Sequence, residues 1–293
     1  MEEIGRKWRP ELGKGDSVLS GWTIRSVMSF LDGMRLPTAL VARALLGLCA
    51  PGGGRPVTNL PLLEDATITL DDLLSCGAVR RLCPDGAGAS LFIGEEMARV
   101  RAARFDWRRE TDLRRRDQAV PYGGDEFLDI VEVAWGDALD AHRLWRVRGG
   151  QWAYWSMNAL GRLTLCRLAR ASLALRDGAS VDLATKLLIH LALSREPRSA
   201  ESLSAFEIGS LLDEIGELPS RERRTAEWAQ QTERRLEAVL RALEAAGALS
   251  ELALPTTRRT IGAGMQAEEW LESRLQLAVA TLGPQAATGT DAA

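Results

Sequence analysis

Arginine is the residue type through which this sequence most plainly offers chemistry. Arg221, Arg223 and Arg224 stand together, Arg234 and Arg235 follow, and the pair Arg258-Arg259 lies beyond Gly247. A separate run, Arg114-Arg115-Arg116, sits near the middle of the chain. A guanidinium presents a planar fork of N–H donors that matches phosphate oxygens and the major-groove edge of guanine, so such clusters point to backbone and base-edge contacts with nucleic acid. Acids are interleaved with them: Glu222, Glu227, Glu233 and Glu237 share the first stretch, and residues 95–117 hold eight arginines against six acids. The plainer reading of both stretches is a solvated helix laced with i,i+4 ion pairs. Arg114 to Arg116 are where charge of one sign accumulates.

Catalysis and metal binding find little material. The two histidines, His142 and His190, each fall in a helical pattern without a second His or a Cys at ligand spacing. Cys49, Cys76, Cys83 and Cys166 are widely spaced and read as small buried hydrophobes in a reducing compartment. Gly52-Gly53-Gly54 has neither a strand before it nor the Gly-Lys-Ser/Thr ending of a phosphate loop, and no serine-hydrolase, zincin or dinucleotide fingerprint occurs. Asp71-Asp72 and Asp125-Glu126 suit helix N-termini, where the dipole favours acids. The expectation is a binding protein rather than an enzyme, with no cofactor and no metal.

The elements that must position the arginines are set by periodicity. Leu236, Val239, Leu240 and Leu243 recur at i, i+3, i+4 and i+7, one apolar stripe of a helix, and Gly247 is placed to cap it. Residues 248–254 alternate as a half-buried strand does, residues 255–260 are turn chemistry carrying Arg258 and Arg259, and residues 261–265 are expected to return as the second strand. Helix, strand and basic hairpin in this order is the pattern of a winged helix-turn-helix, in which the helix before the wing enters the major groove. Residues 70–93 are expected to repeat the unit: a helix capped by Thr69, the join Gly77-Ala78-Val79 resembling Gly247-Ala248-Leu249, then strands over 79–83 and 90–93.

Elsewhere the periodicities predict helices over 22–31, 38–49, 95–117, 126–147, 159–168, 181–194 (capped by Ser180), 205–215 and 266–281. They predict a short strand at 152–157, whose tryptophans suit a core more than a base-stacking platform. The expected fold is therefore mainly α with short β-hairpins, as tandem winged helix-turn-helix domains. Its divisions are an N-terminal domain over 1–94, a charged connecting helix and linker over 95–125, a C-terminal domain over 126–282 and a disordered tail over 283–293.

Composition sets bounds on this reading. At 293 residues, 46% hydrophobic and 26% charged, the chain suits two globular domains. A net charge of −3 and a pI near 5.7 argue against a general nucleic-acid coat but leave room for a local basic face. No uncharged apolar run approaches the roughly 18 residues of a membrane span. The first residues lack a signal-peptide core, so a cytoplasmic location and no membrane partner are expected.

One resemblance adds to these readings. Asp182-Leu183-Ala184 in an apolar helix, then Arg221-x-Arg223-Arg224, then Arg234-Arg235-Leu236-x-x-x-Leu240-x-x-Leu243-x-x-x-Gly247 resembles the C-terminal winged-helix domain of bacterial plasmid replication initiators, over roughly residues 152–265. The resemblance implies two winged-helix domains, binding to repeated origin sequences, and dimer-to-monomer control; the low pI departs from the family's usual basic character. The expected activity is recognition of a specific double-stranded DNA site, at origin repeats or in transcription control, with a homodimer or replication and transcription proteins as further partners. The rival expectation is a protein-interaction or assembly module on the same scaffold, which the net acidity and the tryptophan content favour.

Overall fold

The computed structural model describes residues 16–49, 63, 66–84, 87–106, 125–133, 143–193, 204–254 and 267–279. In chain order these form helices α1 (Asp16–Asp32) and α2 (Leu36–Leu48), strand β1 (Ala66–Thr69), and helices α3 (Leu70–Ser75), α4 (Gly77–Arg80) and α5 (Ala87–Ala102). Strands β2 (Arg104–Phe105), β3 (Asp125–Glu126), β4 (Leu128–Val133) and β5 (Leu144–Gly149) come next, then helices α6 (Gln151–Trp155), α7 (Ala159–Ser172) and α8 (Gly178–Leu193). The last part holds strand β6 (Ser204–Glu207), helix α9 (Ile208–Glu214), a 3-10 turn (Arg221–Arg223), helix α10 (Ala226–Ala245), strand β7 (Leu249–Ala253), helix α11 (Ala267–Leu271) and strand β8 (Arg274–Val279). The protein is mainly helical with small antiparallel sheets.

Two of those sheets have three strands and the same internal order. In the first, β5 lies between β1 and β4; in the second, β8 lies between β6 and β7. The middle strands read with a period of two. Trp145 and Val147 are buried between exposed Arg146 and Arg148, and Leu275 and Leu277 between exposed Arg274 and Gln276. Cross-strand partners complete each apolar face, with Ile68 opposite Trp145, Ile130 opposite Val147 and Phe206 opposite Leu275. Each sheet belongs to a run of elements in one order: helix, strand, short helix, long helix, strand, strand. The first run is α2, β1, α3, α5, β4 and β5, with α4, β2 and β3 inserted; the second is α8, β6, α9, α10, β7 and β8, with the 3-10 turn and α11 inserted.

Helices α1, α2, α7 and α8 pack together, and one apolar cluster continues through both halves. Small residues set these approaches. A Cβ at Gly47 would lie 3.0–3.3 Å from the Cβ, Cα and N of Arg170, so α2 and α7 meet backbone to backbone. At Gly161 a Cβ would come within 2.6 Å of Ser20 Oγ, on α1. Four rings close the first half: Phe30, Phe105, Phe127 and Trp152 lie with centroids 5.1–6.0 Å apart, and the Phe127 and Trp152 rings stack at 5.5 Å. Trp152 Nε1 also donates to Phe127 O at 2.8 Å. The buried Glu96 carboxylate fixes α5 to α2 by accepting from Thr38 Oγ1 at 2.5 Å, and it pairs with Arg99.

Local capping agrees with the sequence. Thr69 caps α3 in a reciprocal box with Asp72, and Asn158 Oδ1 accepts from Gly161 N at 2.7 Å to start α7. Gly216 and Gly247 take φ of 73° and 70°, and each ends its helix with paired 6→1 and 5→2 bonds. At α8 the cap moves: Asp177 Oδ1 accepts from Ser180 N at 2.8 Å, so Ser180 lies inside the first turn.

Several expected elements are corrected. Residues 79–83 and 90–93 are not a hairpin; Gly77 begins α4 without a positive φ, and residues 87–102 are helical. Of the helix expected over 126–147, residues 134–142 lie outside the described residues and the rest belongs to β3, β4 and β5, because Ile130, Val131 and Val133 are β-branched and their apparent 3.6 spacing coincides with alternation over a short run. Residues 151–155 form a helix instead of a strand, and the helix expected over 205–215 begins as β6. The closing helix expected over 266–281 is the short α11 followed by β8, which is the partner of β7. The expected return strand at 261–265, most of the linker and the C-terminal tail lie outside the described residues. The β1–β5 pairing joins residues 66–69 to 144–147 and so runs across the stretch 95–125, where the division between domains is expected.

Gly150 is the tightest of these close approaches, since a Cβ there would overlap Glu126 O and come within 2.8 Å of the Trp152 ring. Gly150→Ala should destabilise the protein by about 3 kcal/mol or more, the upper range of overpacking. Gly178→Ala, with nothing within 4 Å of the added atom, should be neutral or stabilising by up to about 1 kcal/mol. Denaturant unfolding of the two variants beside the parent checks both.

Candidate nucleic-acid interface

Helix α10 is held by its apolar stripe and starts at a defined residue. Leu236, Val239, Leu240 and Leu243 are buried, as the periodicity requires, together with Ala229 and Thr232. Thr225 Oγ1 accepts from Trp228 N at 3.1 Å and caps the first turn, while Trp228 packs edge-on against buried Trp270 of α11 at 6.1 Å. The opposite stripe is exposed: Glu227, Gln231, Arg234, Ala238, Arg241 and Ala245, at i, i+4, i+7, i+11, i+14 and i+18.

The expected site residues separate on this frame. Arg234 is exposed and forms no hydrogen bond or ion pair among the described residues. Arg235 is half-buried, close enough to Asp177 for its charge to act on that carboxylate. Arg221 and Arg223 are exposed in the 3-10 turn before the helix, and Arg221 Nε lies 3.9 Å from Glu268 Oε1, a loose surface pair. Arg224 turns toward the protein, donating from Nε to Pro219 O at 3.1 Å. Arg241, further along the exposed stripe, is engaged by Glu237 Oε1 at 2.9 and 2.7 Å. Arg258, Arg259, Arg114, Arg115 and Arg116 lie outside the described residues.

Charge alone does not single out Gln231, yet it stands one turn before Arg234 on the exposed stripe, with its Nε2 donating to Glu227 Oε1 at 3.2 Å. Extending the apolar period of α10 toward its N-terminus is the signal that finds it. A glutamine amide can pair with the adenine edge and an arginine fork with the guanine edge, so this stripe holds the two side-chain types that read bases in the major groove.

The corresponding helix of the first run, α5, shows another surface. Leu91, Glu95, Ala98 and Ala102 are exposed along it, with Leu91 64% exposed. Its Arg99 is held between Glu95, at 3.3 Å, and Glu96. Arg143 reaches across from the start of β5 and donates to Ser90 O at 3.4 Å, and Gly94 leaves the space its guanidinium occupies.

The other sequence candidates fall into packing roles. His190 is largely buried, with Nε2 2.8 Å from Glu214 Oε2, and it links α8 to α9; His142 lies outside the described residues. All four cysteines are free thiols, and burial raises the pKa of Cys76, Cys83 and most of all Cys166. Among the described residues no three His, Cys, Asp or Glu side chains gather as a metal site, and no helix is long and apolar enough to cross a membrane. Trp152 is fully buried and cannot stack on a base, whereas Trp155 is exposed.

Asp177 connects this interface to pH. Hydrogen bonds from the Ser180 backbone and hydroxyl hold its carboxyl below the usual 3.8, with Arg235 a lesser cause. A depressed carboxylate stabilises the fold above its unfolded pKa and loses that contribution as pH falls through its folded value. Asp177→Ala should therefore melt below the parent at neutral pH, and the gap should close as pH drops below 3.8. Circular-dichroism melts across an acidic pH series measure this gap.

No protein-family model matches the chain, and comparison with curated proteins and with solved structures gives no match.

Proposed function

We propose that this chain is a tandem winged-helix protein and that its C-terminal half binds a specific double-stranded DNA site through α10. The observation that carries the reading is the recurrence, in both halves, of one element order together with one strand order, the last strand in the middle. A winged helix-turn-helix is built in this way, and its long helix before the wing lies in the major groove. Under this reading the first unit runs over 36–149 and the second over 178–279. Gln231 and Arg234 meet base edges; Arg221, Arg223 and the hairpin pair Arg258-Arg259 meet phosphates. Arg224 and Arg235 act from behind, shaping the turn and the α8–α10 contact.

The net charge of −3 does not oppose this, because binding follows the field at the contact surface and α10 turns Arg234 outward. The resemblance to plasmid replication initiators favours repeated origin sequences as the target over a promoter. A second reading draws on a different observation. Helix α5 exposes Leu91, Glu95, Ala98 and Ala102, with Arg99 held by Glu95 and Glu96 and Arg101 in its last turn, and Val131 beside it is 48% exposed. That surface suits a protein partner, so the first unit serves assembly while the second reads DNA.

Selection from a random duplex pool, followed by gel-shift titration at two salt concentrations, tests the reading. One sequence family should be enriched, and its affinity should fall steeply with salt. Arg234→Ala should cost about 1–3 kcal/mol and relax preference at one base position. Arg258→Ala/Arg259→Ala should weaken all sequences alike and reduce the salt slope by about one for each phosphate no longer neutralised. No enrichment, or affinity indifferent to salt and to both variants, overturns it.

A further inference from the structure

Between α2, the α3–α4 junction and the C-terminal end of α7 lies an open groove of about 710 Å³. It shares no lining residue with the exposed stripe of α10. Its volume falls within the roughly 300–1,000 Å³ of ligand-holding clefts. Leu36 and Leu40 line it from α2, and Leu175 lines it from just beyond α7. Leu36 is 62% exposed, so the groove leaves a large apolar side chain in water.

The charge of this groove differs from that of the chain. Arg81, Arg170 and Arg176 line it, and no Asp or Glu is found among its described lining residues, in a protein whose net charge is −3. Arg81 and Arg176 are exposed and form no hydrogen bond or ion pair among the described residues. The walls are also fixed. The backbone contact of α2 with α7 at Gly47 seats Arg170 on one wall. Burial raises the thiol pKa of Cys76 on the facing wall, and the Arg170 charge acts against that rise.

We propose that this groove docks an acidic amphipathic segment of a partner protein. Leucine-class side chains of that segment pack on Leu36, Leu40 and Leu175, and its carboxylates meet Arg81 and Arg176. An amphipathic helix laid in an apolar groove uses anchors at i, i+3, i+4 and i+7. The cationic lining then selects the sign of the flanking charge and speeds encounter. Duplex DNA has the charge but no apolar side chains for the leucine wall, and free phosphate has no use for that wall at all. The inference stands apart from the DNA reading, because the two rest on different residues.

Three fluorescein-labelled helical peptides test it, all with leucine at i, i+3, i+4 and i+7 and with glutamate, glutamine or lysine at the other positions. Anisotropy titration with the full chain should give saturable binding of the glutamate peptide, at least about tenfold tighter than the other two. Arg81→Glu/Arg176→Glu should weaken it at least about tenfold, with a melting profile like the parent's. Should that pair fail to fold, Leu36→Ser, at an exposed position, should produce the same loss. Absence of glutamate-peptide binding, equal binding of the three peptides, or binding untouched in a folded variant overturns the proposal. So does displacement of the glutamate peptide by a random duplex through the same arginines, which would assign the groove to nucleic acid.

Discussion

Both halves of this protein depend on a strand that arrives last and takes the middle place. β5 satisfies the facing edges of β1 and β4 at once, and β8 does the same for β6 and β7. Until that strand is in register, backbone groups on its two neighbours lack partners, and their apolar faces lack Trp145 and Val147 in one half, or Leu275 and Leu277 in the other. The same pairing sets the course of the chain after β5. Gly150 passes under Glu126 O, Trp152 stacks on Phe127, and α7 then begins at Asn158 against Ser20 of α1. Register in the first sheet thereby fixes α1 and α7, on which α8 and α10 rest.

The two long helices show how one scaffold supports different surfaces. Each packs its apolar stripe inward, and α5 is further tied by the buried Glu96. The difference lies in the face left to solvent: α5 exposes Leu91 with alanines, Glu95, Arg99 and Arg101, whereas α10 exposes no large apolar side chain and sets Gln231 and Arg234 among alanines and glutamates. Since surface substitutions cost little stability, the exposed stripe is free to follow the partner while the buried stripe follows the fold. Under the proposed function, an acidic chain in this way carries a DNA-reading helix in one half and a protein-facing helix in the other.

Features governed by neighbouring residues are legible in the sequence, and features governed by distant ones are not. Thr69, Asn158 and Gly247 act within a turn of themselves, and the structure uses each as local chemistry requires. The apolar stripe of α10, and with it the outward Arg234, comes from a 3.6 period sustained over about five turns. Short strands give no such signal. Residues 128–133 fit both periods, and their partner over 144–149 lies beyond a stretch with its own apolar spacing. Residues 274–279 alternate, but their partners at 204–207 are some 70 residues earlier in the chain, so a helix continuing from α11 is the natural local reading. Arg224 is legible as a cation but not as one turned toward Pro219 O, because that orientation is decided by the bend before α10.

The most direct measurement is amide hydrogen exchange of the full chain with and without a duplex enriched by selection. If α10 is the reading helix, added protection concentrates in peptides over residues 221–241 while peptides over 87–102 exchange as before. Protection confined to 87–102, or spread evenly over both long helices, would contradict the division of labour between the two halves.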